Sequence, residues 1–306
     1  KSALGAEKNT DTPYVLSGDA NDSTPRTLLQ NPKKLAVLNI LNCVFYVINI
    51  VLTYGIGVAG WIGDGTSNAE LSLKYQTIVT PNAFAFSIWA LIFLSQGIFC
   101  IVQLLPRFRA DPMVLSGVSC WYILVCLAQV GWTFAFAYEQ IPLSMGLMAI
   151  LWIFLISLLW SQYRTPSADT ILEFLLLRFP FAVHAGWITA ATAVNANVVV
   201  VWSGESAGVQ LAVGIMSLAV LHAISVWVLF VIEKPNYTVA LVLAWANGWI
   251  FGELLNPDDI ILASFGEDIV EGVKYAAVSV SAVILVQVVV RFIWSLIMRC
   301  LRKSGD

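Results

Sequence analysis

The run RFPFAVHAGWITAATAVNANVVVVW, residues 178–202, carries an imidazole, an indole and two amides inside an otherwise apolar stretch. At about 100° per residue, Asn195 lies about 20° from His184, Trp202 falls in line with it and Trp187 stands about 60° to one side. Asn197 points nearly the opposite way. Two earlier apolar segments repeat the pattern. Phe86, Trp89, Phe93 and Gln96 share one face of the first, and Trp121, Gln129, Trp132 and Phe136 share one face of the second. A neutral amide among apolar helices either bonds two helices together or lines a pocket. Three stripes of large rings, each with an amide, point to an aromatic bundle core or to a shared flat pocket. Such a pocket suits a large planar or polycyclic molecule with one polar edge.

Other chemistry finds little to work with. The two histidines, His184 and His222, both fall inside apolar helical segments, and HExxH, GxSxG, Walker and GxGxxG motifs do not occur. No pair of carboxylates stands mid-segment, as a proton-driven transporter needs. Glu253, in WANGWIFGELLNP, lies within a turn of a segment end and reads as an interfacial carboxylate. The five cysteines form no CxxC, so neither a disulfide framework nor a protein-bound structural metal is expected. With no nucleophile, metal cluster or acid–base pair to assemble, the expectation is a protein that is not an enzyme.

The elements that must position these residues are membrane helices. Hydrophobic residues make up 59% of the 306 and charged residues 11%, against about 25% charged in soluble domains. A polar tail, 1–34, precedes eight apolar segments near 35–59, 82–105, 117–138, 142–162, 179–202, 208–232, 237–256 and 272–298. Each approaches the roughly 20 residues that span a bilayer. The fold class is therefore an all-α integral membrane protein with about eight transmembrane helices. Eight spans place 14 of the 16 Lys and Arg on the side of both termini, leaving Lys74 and Lys274 opposite. The positive-inside rule then puts both termini on the cytoplasmic, stromal or matrix side, with an organellar membrane among the settings. Arg291, inside the long last segment, is expected to snorkel. The acidic residues around 253–271 read as a solvated loop or as a cation or docking patch. The sequons at Asn21 and Asn236 fall on the basic side, where glycosylation is not expected. A net charge of −3 with no basic stripe argues against a nucleic-acid partner.

TPNAFAFSIWALIFLSQG, residues 80–97, resembles the second-helix motif of the translocator protein / tryptophan-rich sensory protein (TspO/MBR-like) family through Pro81, Phe86, Trp89, Phe93 and Gly97. QVGWTFAF, 129–136, is similar to the family's third-helix motif, with Gln129 for Asn and Trp132 retained. The opening run resembles the fifth helix through Trp187, Ala191, Thr192 and Asn195, with His184 where the family has Tyr. The longer branch, with extra C-terminal spans, looks closest. The resemblance implies a five-helix bundle over 35–203, followed by three further spans and a basic tail over 204–306. It also implies binding of a porphyrin, a sterol or a similar flat lipophile for sensing, sequestration or transport. Phe86, Trp89, Phe93, Trp132 and Trp187 would stack on the ligand, and Gln129 and Asn195 would hold its polar edge. A neutral imidazole can ligate the metal of a haem or chlorophyll, which makes His184 the candidate axial ligand and His222 the secondary one. The competing expectation is an accessory subunit of a photosynthetic or respiratory membrane complex. In that role the N-terminal tail and last three spans would dock other subunits, with pigments or lipids bound.

Overall fold

The apolar segments fold as helices, in a computed structural model that describes residues 35–304. The polar tail, its docking role and the sequon at Asn21 lie outside the described residues. Helix α1 runs Val37–Gly57, and the short α2 follows at Asn68–Lys74. A 3-10 turn, Ala83–Ser87, opens α3 at Ile88–Val102. Then come α4 (Trp121–Ala137), α5 (Ile141–Arg164), the three-residue α6 (Ile171–Glu173), α7 (Phe179–Trp202), α8 (Ala207–Val226), α9 (Tyr237–Glu253), the short α10 (Asp259–Phe265) and α11 (Glu267–Ser304). Among the described residues there are no strands. The chain is an all-α integral membrane protein. Six helices are long and apolar enough to cross a bilayer by length and composition. The other two of the eight expected spans, α4 and α9, have 17 residues each. At 1.5 Å per residue they reach about 26 Å, short of a bilayer core of about 30 Å.

Helix α7 sits at the centre and touches α3, α5, α8 and α9. It carries apolar residues on every side, and such a helix must be covered all round. Helix α4 packs between α1 and α5, and α11 lies along α9 and α8. The α7–α9 approach depends on Gly186, where a Cβ would stand 2.8 Å from Val242 Cβ. Gly97, part of the family resemblance, serves α1. An added Cβ would stand 2.7 Å from the Tyr46 hydroxyl, which donates to the Phe93 carbonyl at 2.9 Å.

Buried amides bond the helices to one another. Asn39 Nδ2 donates to the Gln103 carbonyl and Asn42 Nδ2 to Gln103 Oε1, each at 3.1 Å, which ties α1 to the end of α3. Asn197 Nδ2 donates to Ser217 Oγ at 2.8 Å, joining α7 to α8 on the face away from His184. A π-helical turn, Trp227–Val231, ends α8, and Arg291 Nε donates to its Leu229 carbonyl at 2.9 Å. Arg291 thus bonds to a neighbouring helix end within the apolar part of α11, where snorkelling alone was expected. Glu253 accepts from Gln76 Nε2 at 2.9 Å and from Asn82 Nδ2 at 3.0 Å. That half-buried carboxylate pins the end of α9 to the loop that leads into α3.

Candidate ligand cavity

A cavity of about 380 Å³, lined mostly by carbon, opens among the helices. Its volume falls within the roughly 300–1,000 Å³ usual for small-molecule sites. Its walls come from the ends of helices that meet at one side of the bundle: the last turn of α1, the first half of α3, the last turns of α4 and the later half of α7. Phe86, Trp89, Phe93, Trp132, Trp187 and Asn195 all line it. The rings are fixed against one another. Trp89 stacks on Phe93 at 5.5 Å and 23°, Trp132 on Phe136 at 5.2 Å and 13°, and Trp187 meets Phe86 edge-on at 5.6 Å. Aromatic pairs favour these offset and T-shaped arrangements, so the walls are set before any ligand arrives.

Two polar groups on the cavity wall have hydrogen-bonding capacity to spare. Asn195 Oδ1 accepts from Ser144 Oγ at 3.2 Å, and its Nδ2 has no protein partner. Trp132 Nε1 is buried without a partner. An unpaired buried donor is costly, so such a group calls for an explanation.

Two expected contacts are corrected. His184 and Gln129 do not line the cavity. Each lies about one helical turn deeper than the ring layer, Gln129 below Trp132 and His184 below Trp187. His184 is fully buried, and its Nδ1 meets Gln96 Nε2 at 2.9 Å. Gln96 Oε1 in turn accepts from the Tyr122 hydroxyl at 3.1 Å. This chain of bonds links α3, α4 and α7 beneath the floor of the cavity. The other ring nitrogen, Nε2, is buried without a hydrogen-bond partner. The Trp89 ring, 5.7 Å away and edge-on, stands beside the imidazole. Fully buried and off the cavity wall, His184 has no open space of this cavity beside it in which a tetrapyrrole metal would sit. Gln129 is buried with neither amide atom hydrogen-bonded, and we find no physical account of that. His222 is half-buried on α8 and also off the cavity wall, with Nδ1 unpartnered. Trp202, in line with His184 by phase, is 47% exposed at the far end of α7.

Other lining residues carry no such sequence pattern. Leu221 of α8 and Ala246 and Ile250 of α9 belong to the last three spans, so the cavity crosses the boundary expected at 203. Plain aliphatic residues give no periodic signal that separates pocket from core. The cover of the cavity, α2, does carry a signal in the sequence. Ser67, Asn68, Ala69 and Ser72 line the cavity from α2. Ser67 Oγ accepts from Glu70 N at 3.3 Å while the Glu70 carboxylate accepts from Ser67 N at 2.7 Å. The Ser-x-x-Glu spacing of that capping box signals a helix start. Gly57 lets the cover close, since a Cβ there would stand 2.5 Å from Asn68 Nδ2. At its other end α2 is held by Glu139, which accepts from Lys74 Nζ and the Tyr75 hydroxyl. Those two partners, Lys74 foremost, hold the Glu139 carboxyl below its ordinary value.

An all-α membrane protein with a preformed, ring-walled cavity between its helices is thus the class that fold and site define. A sequence model of the TSPO-like protein family matches residues 39–290, and the chain belongs to that family. The match runs on through α8, α9 and α10 into α11, whereas the residues that carried the resemblance end at Asn195. No curated protein and no solved structure matches the chain.

Proposed function

We propose that the chain binds one flat, lipophilic polycycle, of the tetrapyrrole or sterol type, in the cavity, and acts by sensing, sequestering or carrying it. The observation that carries this reading is the ring layer itself: Trp89, Phe93, Trp132, Phe136 and Trp187 wall one apolar space beside two donors without protein partners. A planar ligand gains stacking and dispersion on those faces, and a polar edge would take up Asn195 Nδ2 and Trp132 Nε1–H. The role is binding rather than catalysis, and a tetrapyrrole would be held by its faces and edge, without a metal bond to His184. The 14-to-2 split of cations in the sequence supports both termini facing the cytoplasm, stroma or matrix. The cavity then opens towards the opposite side, under α2.

The test is titration of the purified protein in mild detergent with metal-free protoporphyrin and, separately, with a sterol, read by tryptophan quenching and by competition. Saturable one-to-one binding by either, weakened about tenfold or more in Trp187→Ala, is expected. Binding that fails to saturate, or that is equal in Trp187→Ala, refutes the reading.

The accessory-subunit reading has one feature in its favour. The spanning part of α11 is 17% buried and leaves Val286, Val289 and Trp294 more than half exposed. Lipid tails cover such a flank as well as another subunit does. Migration of the native protein as a single chain in mild detergent counts against a subunit role.

A further inference from the structure

A second, more open cavity lies at the opposite end of the bundle, between α4 and α5. It is lined by Trp121, Ser157, Trp160, Ser161, Arg164 and Thr165, with Ile156 between them. We propose that this cavity binds the phosphate headgroup of an anionic phospholipid, with Arg164 as its cation and the two indoles beside the glycerol and upper acyl chains.

Four observations support this assignment. Arg164 is exposed at the last turn of α5, and among the described residues it has no acidic partner and no hydrogen bond. The nearest acids in sequence are engaged elsewhere, since Asp169 pairs with Lys234 at 3.3 Å and Glu173 accepts from Ala168 N at 2.6 Å. The indoles are held in place, Trp160 stacked on Tyr163 at 5.5 Å and 16° and Trp121 against Phe154 at 6.3 Å. Tryptophan favours the level of the headgroups, where its ring meets acyl carbon and its N–H meets ester and phosphate oxygens. Finally, three hydroxyls line the same cavity as the cation. Ser161 Oγ donates to the Ser116 carbonyl at 2.8 Å and Thr165 Oγ1 to the Ser161 carbonyl at 2.8 Å, so their protons are spent on the backbone. Ser157 makes no protein hydrogen bond through its side chain and can donate to a phosphate oxygen directly.

The charge favours an anionic lipid over a zwitterionic one. This end of the bundle carries Arg107, Arg109 and Arg178 as well, so a net negative headgroup is drawn to it, as it is to basic juxtamembrane segments generally. The guanidinium fork suits a phosphate, where a lysine would supply only a point charge.

The experiment is native mass spectrometry of the full chain, released from detergent after addition of phosphatidylglycerol, phosphatidylcholine or inorganic phosphate. One phosphatidylglycerol is expected to stay bound, about tenfold more tightly than phosphatidylcholine, with Arg164→Gln losing about tenfold in affinity and Arg164→Lys losing less. Excess inorganic phosphate should leave the lipid in place, because the indoles hold its chains. Trp160→Ala, at a half-exposed position, should weaken the lipid without touching the first cavity's ligand. Equal retention by Arg164→Gln and the unaltered protein overturns the site. Full displacement by inorganic phosphate, or equal binding of both lipids, overturns the anionic lipid as its occupant.

Discussion

Helices α7 and α9 meet closely at Gly186, beside the main cavity, and one added methyl group tests how much the fold depends on that approach. In Gly186→Ala the new Cβ would stand 2.8 Å from Val242 Cβ, 3.1 Å from Val242 Cγ1 and 3.3 Å from Val239 Cα. Carbon contacts settle near 3.5 Å, so α7 and α9 must part by about 0.7 Å or bend. Backbone sits behind two of the three contacts, so no side-chain rotation relieves them. Overpacking of this kind costs about 1–3 kcal/mol, which lowers the melting temperature by about 2–10 °C for a chain of this size. The damage should reach the cavity, because Trp187 follows Gly186 directly and Ala246 lies one turn along α9 from Val242, and both line it. The assay is thermal unfolding in detergent, run beside ligand titration. Val242→Gly, destabilising alone, should lose most of its cost when combined with Gly186→Ala, giving a coupling of about 1 kcal/mol or more. Gly146→Ala is the control. A Cβ there meets nothing within 4 Å, and alanine favours the helix by about 0.5–1 kcal/mol. If Gly186→Ala melts within a degree of the unaltered protein, or shows no coupling to Val242→Gly, the close α7–α9 contact is not what the structure implies.

Further outcomes follow from particular contacts. Gln96→Leu removes the partner of His184 and should destabilise by about 0.5–2 kcal/mol, with Gln96→Leu/His184→Leu recovering most of that loss; thermal unfolding checks both. His184→Ala should leave the absorption spectrum of an added metalloporphyrin unchanged, and a lost Soret shift would restore the axial-ligand role. Asn195→Ala should weaken a ligand that carries a polar edge by about tenfold and leave a fully apolar one nearly unaffected, as read by competition titration. The Glu139 carboxyl is held below its ordinary 4.5, so its grip on α2 is complete above that pH and lost as the pH falls below it. The protection factors of amide hydrogen exchange over residues 58–75, each taken against the intrinsic rate at the same pH, should therefore fall in acid and approach those of Glu139→Gln, which lacks the charged grip at every pH.

Composition and period settled much of this protein. The apolar excess dictated membrane helices; all eight apolar runs became helices, six of them long and apolar enough to cross a bilayer. The 100° period put Trp89 and Phe93 on one face of α3, the cavity lies on that face, and Phe86 joins them from the 3-10 turn before it. It also separated Asn197 from Asn195, and the structure gives the first to α8 and the second to the cavity wall. What period cannot give is depth. Helical phase fixes the direction in which a side chain points but leaves open how far along the axis an open space extends. His184 and Gln129 have the right azimuth and lie a turn too deep, where helices close together and an imidazole meets Gln96 rather than a ligand. The walls from Leu221, Ala246 and Ile250 were equally out of reach, since aliphatic residues look the same in a core and at a pocket. Amino-acid type and spacing determined which faces turn inward. Only the packing of α8 and α9 onto α7, set by contacts between residues far apart in the chain, decided where the interior stays open.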